Sequence, residues 1–597
     1  MNTATPRHIL IGASIALALA GLVASMLARG ATPETDDPRS RVDLTHLDRM
    51  PIQAEGRLKS FGSFSRDIAS AVMGGKSIED DDGNRIPPDR LYLDLMLRPA
   101  VYADRELVFV KNINMRRELA SVLRGDSPES GSTAQLPILP GERVERFLDS
   151  GRISPAALEH PRVRQLRDRW RRDLLRTAKP AQAITTAVAL ANPATLQNAM
   201  RLIPPPDGDT GSRWISIHDL QSDGSPAEAL DDATRAQLNE AWLAFAAEWR
   251  SERPEPAAMQ AALEEFTLTA ASVAPGLMPS PERMLAEAWY FDLAHLTWVW
   301  IIYLLAAFFL LLSVIYKWAA ARGIGLGMFG VALALHTVSI GWRWWVAGRW
   351  PNSNMYEAVT TAFWFGAVVA LALEFGARKS PLRGVFALGA SVSSMVAMMT
   401  AAYSSQLNLF FDLDPAIRNM MPVLHDLWLY IHTNVIIASY ALIFAAGVCS
   451  VIYLAHRLLG GAASHAGSSG TQMLLSLTSK NDQTPTHLKE KQRRVTLGAV
   501  LDGATMVLIE MSFVLLWAGI IMGAIWADHS WGRPWGWDPK EVFALNTFLV
   551  YLVLIHARIV SRDKGLWTAI LSVVGAGVMI FNWLVINFVI SGLHSYA

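Results

Sequence analysis

The chain has 597 residues, of which 51% are apolar and only 18% are charged, against about 25% charged residues in an ordinary soluble domain. Its 53 basic and 53 acidic residues balance, so the charge gives no indication of nucleic acid or of a strongly acidic partner. The single cysteine, Cys449, excludes a disulfide framework and a cysteine-based zinc site. The apolar excess lies in residues 291–597, whereas residues 30–290 have the composition of a soluble protein.

The first apolar run is HILIGASIALALAGLVASML, residues 8–27, which follows a short basic start. About twenty apolar residues suffice to span a bilayer. A cleavable signal peptide would also fit this run, but no clear small-residue cleavage site follows it. We therefore expect residues 1–29 to form an uncleaved N-terminal membrane anchor.

Residues 30–290 carry mixed charge and several helix-like stretches, such as ATRAQLNEAWLAFAAEWRSE. Breaks rich in proline and glycine, such as LIPPPDGDTGS, separate these stretches. We find no catalytic signature in this part of the sequence. The pattern predicts a large, mainly helical soluble domain.

Eight further apolar runs follow, each close to the roughly 20 residues that a membrane-spanning helix requires. They lie near residues 293–316, 323–343, 357–376, 384–403, 429–454, 503–525, 541–558 and 566–591. Together with the N-terminal anchor they make about nine transmembrane helices. The predicted fold is therefore mostly α: a polytopic helical membrane protein whose large soluble domain lies between the first and second spans.

Lysine and arginine cluster in alternate connections between these runs, at residues 317–322, 378–383, 457–494 and 558–564. Short basic connections face the cytoplasm, so these four are predicted to share that side. The domain of residues 30–290, the other connections and the C-terminus are then extracytoplasmic. The many arginines of the large domain do not contradict this orientation, because long translocated domains largely escape the charge rule.

The stretch WADHSWGRPWGWDPKE, residues 526–541, forms one of the outer connections. Its glycines and proline should hold the chain out of a helix, and Asp538 followed by Pro539 is typical of a helix start. So many flat rings predict a short aromatic shelf for a planar, hydrophobic ligand, with an interfacial belt of tryptophans as the alternative. The predicted seat consists of Trp531, Trp535 and Trp537, and Trp526 is assigned to the belt.

Two histidines lie at the predicted depth of this shelf. His432 and His594 are each near the outer end of a span, where ionisable residues are costly and are therefore functional candidates. Taken singly, each is more often a hydrogen-bonded residue at a helix end. Two neutral imidazoles that meet over an aromatic surface, however, can supply axial ligands to haem iron.

Two other histidines lie deeper in their spans. His556 follows Glu541 by fifteen residues, which corresponds to about 22 Å along a helix. It is therefore predicted toward the cytoplasmic side, as a second, inner ligand site for the same cofactor in transit. His336 lies within another span, where a packing or structural histidine is the simpler interpretation.

Four segments of the membrane-spanning part resemble a known family. WADHSWGRPWGWDPKEVFALNTFLVYLVLIHAR resembles the tryptophan-rich "WWD" signature of the haem-handling membrane proteins of cytochrome c maturation, of the CcsA/ResC type of the System II pathway. The segments WRWWVAGRWPNSNMYEA, IHTNVIIASYA and GLHSYA are similar to three further family segments in the same order. The resemblance covers about residues 290–597.

The resemblance implies roles by position. The residues that would hold haem b on the outer face are His432, His594, Trp531, Trp535, Trp537 and Asp538. The two histidines match the family's axial ligands to iron, and His556 matches a histidine of an inner haem site. In the family the second histidine of that inner site comes from a ResB/CcsB-type partner or fused half, and His336 is the candidate substitute in this chain. Pro534 departs from the usual pattern and is expected to change the shape of the loop.

The implied function is cytochrome c biogenesis, as a cytochrome c haem lyase or synthase subunit in the bacterial cytoplasmic membrane. Such a protein transports haem to the outer face and positions it for thioether attachment to the CxxCH motif of apocytochrome c. The implied partners are the apocytochrome, a ResB/CcsB-type membrane protein, a thiol-reducing thioredoxin-like protein and the lipid bilayer, with no nucleic acid. Two alternatives stay open: System I-type delivery of haem to a chaperone, and a multi-pass transporter without haem.

Overall fold

The computed structural model describes residues 37–74, 78–79, 85–126, 136–173, 177–404, 411, 413–419, 426–461, 465, 496–590 and 592. The described residues divide into two compact units, one ending at Leu293 and the other beginning at Ala294. The predicted N-terminal anchor and His594 lie outside the described residues.

The described residues from 37 to 293 form a mainly helical unit with three short antiparallel strand pairs. The pairs are β1 (Pro51–Ala54) with β2 (Arg57–Ser60), β3 (Ile78–Glu79) with β4 (Arg85–Ile86), and β5 (Val108–Phe109) with β6 (Arg152–Ile153). The helices are α1 (Thr45–Asp48), α2 (Phe61–Met73), α3 (Pro88–Leu97), α4 (Pro99–Tyr102), α5 (Ile113–Arg124), α6 (Gly141–Ser150), α7 (Pro155–Glu159), α8 (Pro161–Arg172), α9 (Ala178–Leu190), α10 (Pro193–Ala199), α11 (Ile217–Leu220), α12 (Asp232–Arg250), α13 (Pro256–Val273) and α14 (Pro281–Asp292). Short 3₁₀ turns cover Pro38–Arg41, Pro226–Ala229 and Pro275–Leu277.

Aromatic side chains of α12 pack in the core of this unit. Trp242, Phe245 and Trp249 are spaced by three and four residues, which places them on one face of the helix. Their successive ring centroids are 5.6 and 5.4 Å apart, and all three side chains are buried. The buried carboxylate of Asp94, in α3, accepts hydrogen bonds from Trp249 Nε1 and from the Tyr102 hydroxyl, both at 3.0 Å. These contacts fix α12 against α3 and α4.

The second unit contains eight described helices that are long and apolar enough to cross a membrane. They are α15 (Trp300–Tyr316, after a 3₁₀ turn at Ala294–Val299), α16 (Ala319–Ala347), α17 (Met355–Gly376), α18 (Val385–Tyr403), α19 (Leu427–Leu458), α20 (Leu497–Trp531), α21 (Pro539–Val560) and α22 (Lys564–Phe581, continued by a π-helix at Asn582–Ile586). All eight spans predicted in this part of the chain are confirmed, and so is the mostly α, polytopic membrane fold.

The aromatic stretch of residues 526–541 is less irregular than predicted. Its first six residues are helical, because α20 continues to Trp531. The first residue that breaks the helix is Gly532, which adopts a φ of 69° and caps the helix end. The non-helical loop is therefore limited to residues 532–538. Helix α21 then begins at Pro539 with Asp538 as its N-cap, as predicted.

Helices α19 and α20 form the most extensive helix pair in the described chain. They run antiparallel: Ser439 of α19 donates to the backbone carbonyl of Ser512 at 2.9 Å, and Ser450, later in α19, lies 3.4 Å from Thr505, earlier in α20. Small side chains at such contacts let two backbones approach closely within a membrane. Because His432 lies near the start of α19 and the aromatic loop follows α20, the packing of this pair sets their separation.

Ion pairs lie near the opposite end of these helices. Arg558, near the end of α21, forms two 2.8 Å contacts with the carboxylate of Asp502 in α20 and donates to Thr568 Oγ1 at 2.7 Å. Arg457, near the end of α19, donates to Asp563 in the connection after α21. These hydrogen bonds from Arg457 hold the pKa of Asp563 below its usual range. The Arg457–Asp563 pair joins two connections that are predicted to share one side of the membrane.

Candidate functional site

A cavity opens between several helices of the second unit, at the end of the bundle that carries the aromatic loop. Its walls come from the connection before α17 and the start of that helix, the first half of α19, the last turns of α20, the loop 532–538, the start of α21 and the π-helix region. The larger side chains that line it are His432, Tyr440, Trp526, Trp535, Lys540 and Trp583. The cavity therefore brings together a histidine and tryptophans that are about a hundred residues apart in the sequence.

The His432 side chain is half-buried in this cavity, and its ring orientation is fixed by α20. Its Nδ1 lies 2.7 Å from the backbone carbonyl oxygen of Gly519. A carbonyl oxygen can only accept a hydrogen bond, so Nδ1 must carry the proton. In the neutral ring Nε2 is then the nitrogen with the lone pair, which is the arrangement that a metal-ligating histidine needs.

The connection before α17 fixes the part of α19 that carries His432. Trp350 Nε1 donates to Asn434 Oδ1 at 2.9 Å, and Asn352 Nδ2 donates to Thr433 Oγ1 at 3.0 Å. Thr433 and Asn434 directly follow His432, so these bonds hold α19 at the edge of the cavity. The sequence pattern indicates no individual role for these residues, although the segment WRWWVAGRWPNSNMYEA that holds Trp350 and Asn352 resembles the family.

A fully buried carboxylate holds this connection in turn. Glu357, in the first turn of α17, accepts hydrogen bonds from Arg343 Nε and Arg349 Nη1, both at 2.9 Å. It also accepts the backbone N–H of Ser353 at 2.7 Å. A buried charge is tolerated when it is paired and hydrogen-bonded, and here two arginines surround one glutamate. The network therefore anchors the wall that faces α19.

The loop 532–538 is tied to the start of α21 by Glu541. One carboxylate oxygen of Glu541 accepts the backbone N–H groups of Gly536 at 2.9 Å and of Asp538 at 3.1 Å. Asp538 in return accepts the N–H of Lys540 at 3.2 Å. Its side chain also accepts the N–H of Glu541, and this reciprocal pairing of Asp538 and Glu541 is a capping box. The loop therefore has a defined backbone although it lacks regular structure.

The four tryptophans of the stretch occupy different environments. Trp526 is buried and lines the cavity, and Trp535 lines it from the loop. Trp531, at the end of α20, packs on Trp526 with centroids 4.8 Å apart. Trp537 stands edge-on to Trp535 at 6.0 Å and is 73% exposed. The structure therefore places Trp526 and Trp535 in the cavity wall, whereas the predicted seat consisted of Trp531, Trp535 and Trp537.

Asp538 lies against Gly592 as well as capping α21. Its side chain is 5% exposed, and a Cβ atom added to Gly592 would overlap its Oδ1. Glycine at position 592 therefore permits the backbone there to lie directly against Asp538. His594, two residues after Gly592 in the sequence, lies outside the described residues.

The structure does not bring His556 to this cavity. His556 is exposed on α21 and donates from Nδ1 to the carbonyl of Leu552, one turn earlier, at 2.8 Å. Helix α21 is also the least buried of the eight described spans. An exposed imidazole in a membrane span is costly against lipid, so this face is suited to contact with another protein.

His336 is fully buried among α15, α16 and α17, away from the cavity. Its Nε2 donates to the carbonyl of Thr360 at 3.1 Å, so its Nδ1 accepts from the Tyr303 hydroxyl at 3.2 Å. Both ring nitrogens are therefore engaged in the described structure. A ligand role for His336 would require breaking one of these bonds, which favours the simpler interpretation of a structural histidine.

Comparison with known proteins identifies the family. Residues 352–594, which include most of the cavity wall, match the family model described as cytochrome C assembly protein. The chain is 32% identical over 281 residues to the cytochrome c biogenesis protein CcsA of Porphyra purpurea, covering 45% of this chain and 84% of that protein. It is 33% identical over 295 residues to CcsA of Microcystis aeruginosa, covering 46% and 87%. The chain therefore belongs to the CcsA family of cytochrome c biogenesis proteins.

Proposed function

We propose that this chain binds haem in the cavity beside His432 and holds it for covalent attachment to apocytochrome c. Membership in a cytochrome c assembly family implies that the protein works with haem. The observation that carries the proposal is the bond from His432 Nδ1 to Gly519, which orients the ring in a cavity that tryptophans also line. An oriented imidazole beside flat aromatic walls suits an iron porphyrin.

The chemistry of the cavity wall fits this substrate. Trp526 and Trp535 offer apolar, planar surfaces, and Lys540 is the one cation among the described residues that line the cavity. Haem has an apolar ring with two carboxylate side chains at one edge, so a single ammonium group near the aromatic wall matches its polarity. His594, two residues after Gly592 in the sequence, is proposed as the second axial ligand.

The proposed role of the chain in the reaction is placement. In the attachment step each cysteine thiol of CxxCH adds across a haem vinyl group: a sulfur–carbon bond forms and the thiol hydrogen goes to the other vinyl carbon. No net electron transfer is required, and Cys449, the only cysteine, is buried in α19. His432 and the tryptophans would hold the vinyl groups in position. The histidine of CxxCH would then displace one of the two histidine ligands and release the product.

We further propose that the cavity lies on the outer face of the bacterial cytoplasmic membrane, with the domain of residues 30–290 on the same side. This orientation follows from the basic connections of the sequence. It places the attachment site where a translocated apocytochrome arrives. A thioredoxin-like protein would be needed there to keep the CxxCH thiols reduced, because only the thiol form can add to the vinyl groups.

His556 is proposed as one ligand of an inner haem site that a second membrane protein completes. It shares an exposed face of α21 with Leu549, Val553 and Val560, at spacings of four, three and four residues. The exposure of an imidazole on the least buried span favours a ligand that comes from outside this chain. A ResB/CcsB-type partner is the proposed source.

The absorption spectrum of the protein, purified from haem-replete membranes, tests the central proposal. We expect a Soret band in the wild type that is weakened in both His432→Ala and His594→Ala. The matched control is His529→Ala, which removes an exposed imidazole at the end of α20. A colourless wild-type protein would refute haem binding and favour a multi-pass transporter.

A reporter apocytochrome with one CxxCH motif tests the destination of the haem. Covalently attached haem survives denaturing electrophoresis, so a haem-stained reporter band indicates attachment. We expect this band with the wild type and its loss with His432→Ala. Haem found on a chaperone, with an unstained reporter, would instead support System I-type delivery.

A further inference from the structure

Two glycines of α20 form a groove for side chains of α19. Gly519 and Gly523 lie four residues apart, so they share one helix face. A Cβ atom on Gly519 would lie 2.6 Å from Cδ1 of Ile436, and one on Gly523 would lie 2.5 Å from Cε1 and 2.8 Å from Nδ1 of His432. Contacting carbon atoms normally stay about 3.5–4.0 Å apart. The His432 ring therefore occupies space that exists only because residue 523 has no side chain.

The groove also determines which ring nitrogen is protonated. The carbonyl of Gly519 lies one turn before Gly523, and the ring reaches it because Gly523 leaves the path open. A carbonyl oxygen has two lone pairs, so it can accept Nδ1–H in addition to its helical hydrogen bond. A methyl group at position 523 would push the ring outward by about 1 Å and weaken this bond.

We infer that Gly523 is a positioning residue for His432: it sets how closely the imidazole lies against α20 and thereby which nitrogen is presented to haem iron. This inference rests on the proposed function, because its test measures the haem that is bound through His432. Loss of contacts that orient a metal ligand typically lowers metal affinity by about 10- to 100-fold. Gly523→Ala is therefore expected to act on haem although residue 523 supplies no ligand.

A simpler explanation is that Gly523 only lets two helices pack. Gly366 of α17 offers a matched control, because a Cβ atom there would lie 2.8 Å from Cβ of Ala441 in α19. Gly366→Ala thus creates a clash of similar size against the same helix. Ala441 lies nine residues from His432, so this substitution does not strike the imidazole.

The first experiment compares the haem-to-protein ratio and the absorption spectrum of the two purified variants. We expect Gly523→Ala to lower the ratio about tenfold, or to convert the spectrum from six-coordinate low-spin to high-spin. We expect Gly366→Ala to keep the wild-type spectrum. Wild-type ratio and bands in Gly523→Ala, or an equal loss of haem in both variants, would overturn the inference.

The second experiment removes the ring that Gly523 is inferred to position. In His432→Ala, adding Gly523→Ala should change the remaining haem-to-protein ratio by less than about twofold, because contacts that no longer exist cannot be coupled. A further tenfold loss in that background would show that residue 523 acts by packing alone.

The double variant His432→Ala/Gly523→Ala also tests the inference if Gly523→Ala alone does not accumulate in membranes. Recovery of the protein in His432→Ala/Gly523→Ala would identify the imidazole as the group that the methyl strikes, which supports the inference; absence of both variants would overturn it. Failure of the proposed function is distinguishable, since it appears as a colourless wild type. The inference alone is contradicted if the wild type binds haem, His432→Ala loses it and Gly523→Ala binds it as the wild type does.

Discussion

The carboxylate of Glu541 accepts the backbone N–H of Gly536, five residues earlier, at 2.9 Å. Trp535 and Trp537 flank this tethered glycine. Trp537 adopts a φ of 56°, a left-handed conformation that a non-glycine residue keeps only when its surroundings hold it. Glu541 also binds the N–H of Asp538, so one side chain holds the backbone on both sides of Trp537.

Removing this carboxylate should loosen the loop. In Glu541→Ala two partly buried backbone N–H groups lose their acceptor, at a cost of about 1 kcal/mol each, the lower end of the range for buried groups. We expect faster proteolysis between residues 532 and 538 and a lower haem-to-protein ratio, whereas Glu541→Gln, which keeps an acceptor oxygen, should retain most of both. Asp528→Ala, which removes an exposed carboxylate near the end of α20, is the control. Equal proteolysis of wild type and Glu541→Ala would contradict this role.

The two loop tryptophans should differ in their effect on haem. Trp535 lines the cavity, whereas Trp537 is 73% exposed. Because the lost contact area lies in the cavity wall, Trp535→Ala should lower the haem-to-protein ratio about tenfold, as expected for loss of a large aromatic surface. Trp537→Ala should lower it less. A larger loss of haem in Trp537→Ala would restore the seat predicted from the sequence and count against the cavity.

Lys540 should contribute to the retention of haem only when the haem carboxylates are free. A hydrogen bond to a charged group contributes about 1.5–3 kcal/mol, so Lys540→Gln should weaken haem retention about tenfold or more. The same variant should bind haem dimethyl ester as well as the wild type does, because the ester has no negative charge. Arg533→Gln, at an exposed loop position, is the matched control. An equal effect on haem and its ester would show that Lys540 does not bind the carboxylates.

Photo-crosslinking tests the proposed partner face of α21. A photoreactive residue at Val553, 55% exposed on the face of His556, should crosslink to a co-expressed ResB/CcsB-type protein. The control is Phe308 of α15, which is 54% exposed. His556→Ala should leave the spectrum of the outer site intact but remove the contribution of the inner one. Equal crosslinking at both positions would argue against a dedicated face.

The Asp502–Arg558 pair should be required for stability and not for haem chemistry. Both side chains are about 1% exposed, so Asp502→Ala leaves a buried guanidinium without its carboxylate and should cost roughly 3–5 kcal/mol. Asp502→Leu/Arg558→Met should recover much of this loss. Unfolding in detergent by increasing SDS, followed by tryptophan fluorescence, measures the change.

The Arg457–Asp563 pair provides the matched comparison, because its side chains are 27% and 36% exposed. Asp563→Asn keeps the oxygen that caps α22 and should cost about 1 kcal/mol or less. If Asp563→Asn lowered the free energy of unfolding as much as Asp502→Ala, burial would not explain how much each ion pair contributes to stability.

The sequence by itself determined the eight membrane spans and the start of α21. Span length follows from bilayer thickness, and the Asp538–Pro539 start follows from the unsatisfied N–H groups of a first helical turn. Both are local requirements, so a short window of residues reveals them. The continuation of α20 to Trp531 was not predicted. The glycines and the proline of the stretch predicted a non-helical segment throughout, although the first of them is Gly532, after six residues that can remain helical.

Only the tertiary structure decided which residues meet in the cavity. The sequence identified His432 and a tryptophan-rich loop, but the packing of α20 against α19 puts Trp526 in the wall, and the fold of the loop 532–538 leaves Trp537 exposed. The contact of His432 with Gly519 joins residues 87 positions apart. Its signal in the sequence is two glycines four residues apart, a spacing typical of helix packing in general. Which side chain enters such a groove depends on how two distant helices pack, and no local pattern specifies that.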